Sequence, residues 1–99
     1  MVRRSSLHRE RLLAEFGLNL RRWRKANGMS ATELADRASI SRNTLNNLES
    51  GSGSTRTDTL FAVLIALGIA DTVVKAADPY NSDSARARID AILRAGGRL

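Results

Sequence analysis

Residues 30–51 read SATELADRASISRNTLNNLESG and carry the signals of two short helices joined by a tight turn. Ser30 and Glu33 have the spacing of a capping box, in which each side chain binds the other residue's backbone N–H. Ser41 is a favourable N-cap for the second helix, and Gly51 fits the left-handed position that follows a helix. Because helices this short are unstable alone, the flanking segments must cover their apolar sides.

Each of the two short helices has one apolar side. Leu34, Ala35 and Ala38 share a side of the first helix, and Leu45 and Leu48 share a side of the second. These five residues are the predicted contacts with the rest of the core.

The segment before them predicts a helix from Arg9 to Asn27 that ends at Gly28. Gly17 weakens this helix by roughly 1 kcal/mol relative to alanine, so a bend or a close helix contact is expected there. Trp23 lies on the apolar stripe, and this favours a place in the core over a base-stacking role. The stripe consists of Leu12, Leu13, Phe16, Leu20 and Trp23.

Residues 1–8 are polar and basic without periodicity, and we interpret them as a flexible arm. A solvated tail is the favoured interpretation, and entry of Arg3 and Arg4 into a minor groove is the alternative.

Three further helices are predicted after the loop at residues 52–55. The first, from about Asp58 to Leu67, is capped near Thr57, has apolar residues on nearly every side and should be the central buried helix. The second runs from Thr72 to Ala77 after an Asp71 cap and ends at Asp78-Pro79. The third runs from Ser82 to Ala95, and its apolar stripe consists of Ala85, Ile89, Ile92 and Leu93.

This ordered set of features resembles the Cro/repressor, or XRE-type, family of helix-turn-helix regulators over roughly residues 16–69. The matching residues are Leu20, Trp23, Arg24, Gly28, Met29, Leu34-Ala35, Ile40-Ser41, Thr44-Leu45, Leu48-Glu49, Gly51, Leu60, Leu64 and Ala66-Leu67-Gly68. The resemblance implies an all-α, five-helix lambda-repressor-like domain with an additional C-terminal helix. It also implies a partly buried ion pair between Arg24 and Glu49.

The chain departs from the family pattern at two positions. Ser39 stands in place of the usual turn glycine, which puts a small strain on the turn. Many family members carry a glutamine that touches a DNA phosphate at the second position. Ala31 stands in its place here, which removes one contact with the DNA backbone.

The charge is concentrated in the first segment of the chain. The net charge is +6, and residues 1–28 hold eight Arg and Lys against two Glu. A basic surface beside a helix-turn-helix is the electrostatic pattern expected for a DNA-binding protein.

The exposed side of the second short helix is the predicted reader of DNA bases. Leu45 and Leu48 face the core, so the polar residues on the other sides face outward. Arginine suits guanine and asparagine suits adenine. An ordinary polar surface is the alternative, but clustered asparagines are costly in a helix, and this favours a functional role. The predicted base-reading residues are Arg42, Asn43, Asn46 and Asn47, with Arg42 and Asn47 contributing most.

Contacts to the DNA backbone are expected from helix N-termini, hydroxyl groups and one loop arginine. The predicted residues are Ser30, Thr32, Ser41, Thr44 and Arg56. Arg21, Arg22 and Lys25 lie either near phosphates or in solvent.

Other classes of protein fit the sequence poorly. The single histidine, His8, has no carboxylate or cysteine constellation around it, and no metal-ligand spacing exists. The GSGST stretch at residues 51–55 follows no strand and precedes no Gly-Lys-Ser/Thr, so it is not a phosphate-binding loop. We therefore predict no catalytic, metal or cofactor-binding residue. With zero cysteines, no apolar run of membrane length and no signal peptide, we expect a cytoplasmic protein.

The predicted organisation is an arm (residues 1–8), a DNA-binding domain (9–78) and a C-terminal helix (79–99) for dimerisation or partner binding. We expect a sequence-specific double-stranded DNA-binding regulator that forms a homodimer and represses by occupying an operator. One alternative is an antitoxin whose C-terminal segment also neutralises a toxin. Another is a protein-interaction adaptor that has lost DNA binding.

Overall fold

The computed structural model describes residues 4–52 and 54–99, without the side chains of residues 4 and 5. Those residues form six α-helices and one short 3-10 helix and contain no strand, which confirms the all-α prediction. The helices are α1 (Arg4–Ala26), α2 (Ala31–Ala38), α3 (Arg42–Ser50), α4 (Thr57–Leu67), α5 (Ala70–Ala76) and α6 (Asp83–Arg94), with the 3-10 helix at Pro79–Asn81.

Helix α1 begins at Arg4, earlier than the predicted start at Arg9. Most of the predicted arm is therefore helical, because residues 4–8 contain no glycine or proline and a solvated helical turn needs no apolar stripe. Inside this extension, His8 Nδ1 and Arg11 Nη2 lie 3.0 Å apart. Residues 1–3, with the predicted minor-groove contact of Arg3, lie outside the described residues, as does the side chain of Arg4.

Capping residues define where α2 and α3 begin and end. The backbone N–H of Glu33 donates to the Ser30 hydroxyl and the Ser30 N–H donates to the Glu33 carboxylate, so the predicted capping box is present. The Ser41 hydroxyl accepts from the Thr44 N–H at the start of α3, and Gly51 ends that helix at φ 75°. Ser39 takes the left-handed conformation at φ 56°, which confirms the expected strain in the turn.

A core of aliphatic residues holds α1 to α4 together. Helix α1 packs on α3, and α2 packs on both α3 and α4. The side chains with essentially no exposed surface come from all four helices: Leu20, Leu34, Leu45, Val63 and Leu64. This packing fixes α3 with its Leu45 side inward and its asparagine-rich side outward.

Trp23 does not lie in the core, and its predicted burial is wrong. The indole is 47% exposed, and Leu12 and Leu13 are similarly exposed. The buried side of α1 is centred on Gly17, Leu20 and Arg24, so residues at the edge of the apolar stripe meet solvent.

Helix α4 is buried on one side only. Val63, Leu64 and Leu67 are buried, but Ile65 is 68% exposed, which corrects the expectation of a helix buried all round. The helix begins at Thr57 after an Arg56 N-cap that makes no side-chain capping bond. Among the described residues no single helix is long and apolar enough to span a membrane, and α4 and α5 meet that criterion only when taken together.

The described part of the chain divides into two compact units, with the division after Ile69. In the second unit, α5 begins at Ala70, so Asp71 lies in its first turn instead of capping it. The Ser82 hydroxyl caps α6 by accepting from the Ala85 N–H, as the sequence predicts.

Local contacts hold the second unit together. The Asp78 carboxylate accepts from the Tyr80 N–H, and the Asn81 amide donates to the Lys75 carbonyl. Arg86 Nη2 donates to the Tyr80 carbonyl at 2.9 Å, and its guanidinium lies 5.8 Å from the centre of the Tyr80 ring. This unit therefore joins α5, the 3-10 helix and α6.

Candidate nucleic-acid interface

A polar groove runs between α1 and the N-terminal ends of α2 and α3. We call it the reading groove, and its volume is about 470 Å³. Helix α3 contributes Arg42, Asn43 and Asn46, which are all exposed, so the groove combines one arginine and two asparagines of the predicted reading surface. Its lining residues are Arg21, Arg24, Ala31, Arg42, Asn43, Asn46 and Glu49.

Arg24 and Glu49 form the predicted ion pair at the base of this groove. Arg24 Nε donates to Glu49 Oε2 at 2.7 Å and Arg24 Nη2 donates to Oε1 at 3.0 Å, while the two side chains are only 11% and 10% exposed. Arg24 Nη1 also donates to the Met29 carbonyl at 3.2 Å. This bidentate pair ties α1 to the end of α3 and sets the angle at which α3 is presented.

The charge of Arg24 is held by this pairing. The hydrogen bonds that Arg24 donates to Glu49, aided by the negative charge of that carboxylate, raise the pKa of Arg24, although burial acts in the opposite direction. The guanidinium of Arg24 therefore stays charged.

Asn47 lies apart from the other three predicted base-reading residues. It is half-buried and lines a separate cavity of about 110 Å³ together with apolar residues of α1 and α4. The lining residues of that cavity are Leu13, Phe16, Asn47, Leu48, Gly51, Ser52, Thr55 and Leu60. Asn47 is predicted to contribute to base reading as much as Arg42, but it is less exposed than Arg42 because α1 and the loop after Gly51 cover this side of α3.

The hydroxyl groups predicted to touch DNA backbone already have partners within the protein. The Ser41 hydroxyl donates to Thr44 Oγ1 at 2.9 Å and accepts from the Thr44 N–H. The Ser30 hydroxyl accepts from the Glu33 N–H. Since a hydroxyl can both donate and accept, Ser30 and Thr44 each keep a donor for a phosphate oxygen.

Thr32 is engaged with the reading surface itself. Its Oγ1 accepts from Arg42 Nη1 at 2.9 Å, which joins the first turns of α2 and α3. Both residues are exposed, so this bond lies at the mouth of the groove.

Arg56 lies on the loop side of α3, away from the reading groove. Its Nη2 pairs with Asp58 Oδ2 at 3.0 Å, and the two side chains are 81% and 68% exposed. An exposed pair of this kind is weak, so Asp58 reduces the positive charge that Arg56 offers without preventing its exchange for a phosphate.

Sequence reasoning missed two features of the groove. It left Arg21 undecided between phosphate and solvent, and the structure places this residue among those that line the groove. It also missed the bond between Thr32 and Arg42. The spacing of Arg21 and Arg24 along one turn of α1 could have indicated the first, but no sequence signal indicates the second.

A comparison with protein families agrees with this geometry. The model of the helix-turn-helix family HTH_3 matches residues 20–76, which is more than half of the chain and includes α2, α3 and α4. The chain matches none of the curated proteins and none of the solved structures. The chain therefore belongs to the XRE-type helix-turn-helix family and is a DNA-binding regulator of that family.

Proposed function

We propose that the protein is a sequence-specific repressor that acts by occupying an operator in double-stranded DNA. The observation that carries this proposal is the reading groove, in which Arg42, Asn43 and Asn46 stand exposed beside the first turns of α2 and α3. These side chains have the forked donors and acceptors that distinguish base edges in a major groove.

The proposal divides the interface into two kinds of contact. Base reading belongs to Arg42, Asn43 and Asn46, and Asn47 flanks them from its half-buried position. Positioning on the phosphates belongs to the hydroxyl-bearing residues at the helix starts and to the loop arginine. This second set is Ser30, Thr32, Ser41, Thr44 and Arg56.

The C-terminal segment, residues 79–99, is proposed to mediate homodimerisation. Ile92 and Leu93 on α6 are 43% and 48% exposed and continue a stripe that includes Ala85 and Ile89. An isologous dimer would place two copies of α3 about 34 Å apart, which corresponds to a palindromic site. If α6 instead holds a different protein, such as a toxin, the same chain is an antitoxin.

The decisive experiment selects a duplex from a random library with the intact chain and then compares it with a scrambled duplex. Repression by occupancy predicts a selected site that is bound at least about 1,000-fold more tightly than the scrambled one. Binding to both should weaken steeply as salt rises, because phosphate contacts release counterions. An adaptor that has lost DNA binding would enrich no sequence and show no salt-dependent binding.

Repression itself needs a second measurement. The selected site placed over a promoter should lower transcription in the presence of the protein, and the same site placed well upstream should not. A rise in transcription from either position would contradict repression by occupancy.

A further inference from the structure

The bond between Thr32 and Arg42 crosses from one helix to the other at the mouth of the reading groove. Thr32 is the second residue of α2 and Arg42 is the first residue of α3, so the two are ten positions apart in sequence. The donor is Arg42 Nη1, the acceptor is Thr32 Oγ1, and the distance is 2.9 Å.

Thr32 stands on a rigid support. The capping box of Ser30 and Glu33 fixes the first turn of α2 on either side of it. Leu34 and Ala35, which follow within the next turn, are fully or almost fully buried. The backbone of Thr32 is therefore held in place by the cap and the core, whereas a free arginine at the start of α3 would sample many rotamers.

The bond leaves the recognition chemistry of Arg42 intact. A guanidinium carries five N–H donors, and Thr32 takes one of those on Nη1. No acceptor among the described residues takes the edge formed by Nε and Nη2, and its two parallel donors match guanine O6 and N7. The Arg42 side chain is then already restricted in the free protein, so binding to DNA costs less conformational entropy.

We propose that Thr32 is a specificity-determining residue that positions the Arg42 guanidinium for base reading, in addition to any phosphate contact. This inference rests on the proposed DNA-reading function. It assigns to Thr32 a role that a phosphate contact alone would not require, since a phosphate contact is indifferent to base sequence.

The test uses three full-length variants and the selected and scrambled duplexes. Thr32→Val has nearly the shape of threonine but no acceptor, Thr32→Ser restores the acceptor, and Thr72→Val is a matched control at an exposed threonine on α5. We expect Thr32→Val to lose about threefold to tenfold more affinity for the selected duplex than for the scrambled one, as for one lost hydrogen bond. Thr32→Ser and Thr72→Val should bind like the parent.

A double-mutant cycle separates positioning from phosphate contact. In an Arg42→Ala background, Thr32→Val should weaken the selected duplex no more than the scrambled one, because the side chain that it positions is absent. Equal loss on both duplexes with Arg42 present, or a larger loss on the selected duplex that persists in the Arg42→Ala background, would overturn the proposal and leave Thr32 as a phosphate contact.

A measurement without DNA keeps this proposal distinct from the proposed function. Nitrogen-15 relaxation at Arg42 Nε in the free protein should show a restricted side chain in the parent and in Thr32→Ser, and a mobile one in Thr32→Val. Equal mobility in all three overturns the positioning role whether or not DNA binds. Failure of the parent to select any duplex, with the restriction present, would instead overturn the proposed function.

Discussion

A Cβ atom on Gly17 would lie 2.4 Å from the carbonyl oxygen of Leu48, so α1 and α3 meet at a point where only glycine fits. The same Cβ would lie 2.7 Å from the Glu49 carbonyl oxygen, and both obstacles are backbone atoms that cannot rotate away. The close contact brings Arg24, two turns further along α1, beside Glu49. The glycine that weakens α1 locally thus allows the packing that positions the recognition helix.

Gly17→Ala should therefore destabilise the protein even though alanine is the better helix former. Helix propensity favours the substitution by about 1 kcal/mol, whereas forced separation of α1 and α3 costs more, typically about 1–3 kcal/mol and here near the upper end. We expect a Tm lower by roughly 5–10 °C in a thermal melt followed by circular dichroism. Glu15→Ala, an exposed change two residues away, is the control, and an unchanged or higher Tm for Gly17→Ala would contradict the close contact.

The two Arg–carboxylate pairs of the first unit should differ strongly in their contribution to stability. Glu49→Ala leaves the buried Arg24 with only the Met29 carbonyl, at a cost of about 3–5 kcal/mol. Asp58→Ala breaks the exposed pair with Arg56 and should cost less than about 1 kcal/mol. Denaturant unfolding of both variants measures the difference. Similar midpoints for the two would show that burial does not determine how much an ion pair contributes to the free energy of unfolding.

Neighbouring arginines on α1 should contribute unequally to DNA binding. Arg21 lines the reading groove, whereas Arg22 points elsewhere and donates to Asn19 Oδ1 at 3.1 Å. Arg21→Ala should lower the slope of log affinity against log salt by about one unit, and Arg22→Ala should leave it nearly unchanged. Titration of a scrambled duplex across a salt series gives both slopes. Identical slopes for the two variants would place Arg21 outside the interface.

Base discrimination should follow the exposed residues of the reading groove. Arg42→Ala, Asn43→Ala or Asn46→Ala should each reduce preference for the selected duplex by about 1–3 kcal/mol and spare the scrambled one. Asn47→Ala should reduce that preference less, because its side chain is half-buried beside Phe16 and Leu60. Competition binding ranks the four variants, and a loss for Asn47→Ala as large as that for Arg42→Ala would contradict the smaller role of Asn47 and support the leading role that the sequence predicts for it.

Association of the chain should depend on the apolar stripe of α6. Leu93→Glu introduces a charge on this stripe, and Ala87→Glu introduces the same charge on the opposite, exposed side of the helix. We expect Leu93→Glu to lower the mass found by sedimentation from dimer to monomer, with Ala87→Glu unchanged. A chain ending at Asn81 should likewise be monomeric. If the intact chain is itself monomeric without a partner, α6 does not mediate homodimerisation.

Local sequence determined where most of the helices begin and end. The residues that set these ends act through hydrogen bonds or backbone conformations within a few positions of themselves. They are Ser30 with Glu33, Ser41, Gly51, Gly68 and Ser82. Their effects do not depend on the rest of the chain, so residue type and spacing suffice to predict them. The start of α1 differs from the prediction because its first residues are polar and carry no apolar stripe, so they leave no such local signal.

The family pattern determined the ion pair and the identity of the recognition helix, but tertiary packing decided which side chains reach the groove. Trp23 is exposed, Asn47 is half-buried and Arg42 is bonded to Thr32 because of where neighbouring helices lie. The sequence pattern of a helix predicts which way a side chain points around the helix axis. That direction is defined only to about 100°, which is the rotation from one residue to the next. Whether that direction meets solvent, a cavity or another side chain depends on distances between helices, and the packing of the core sets those distances.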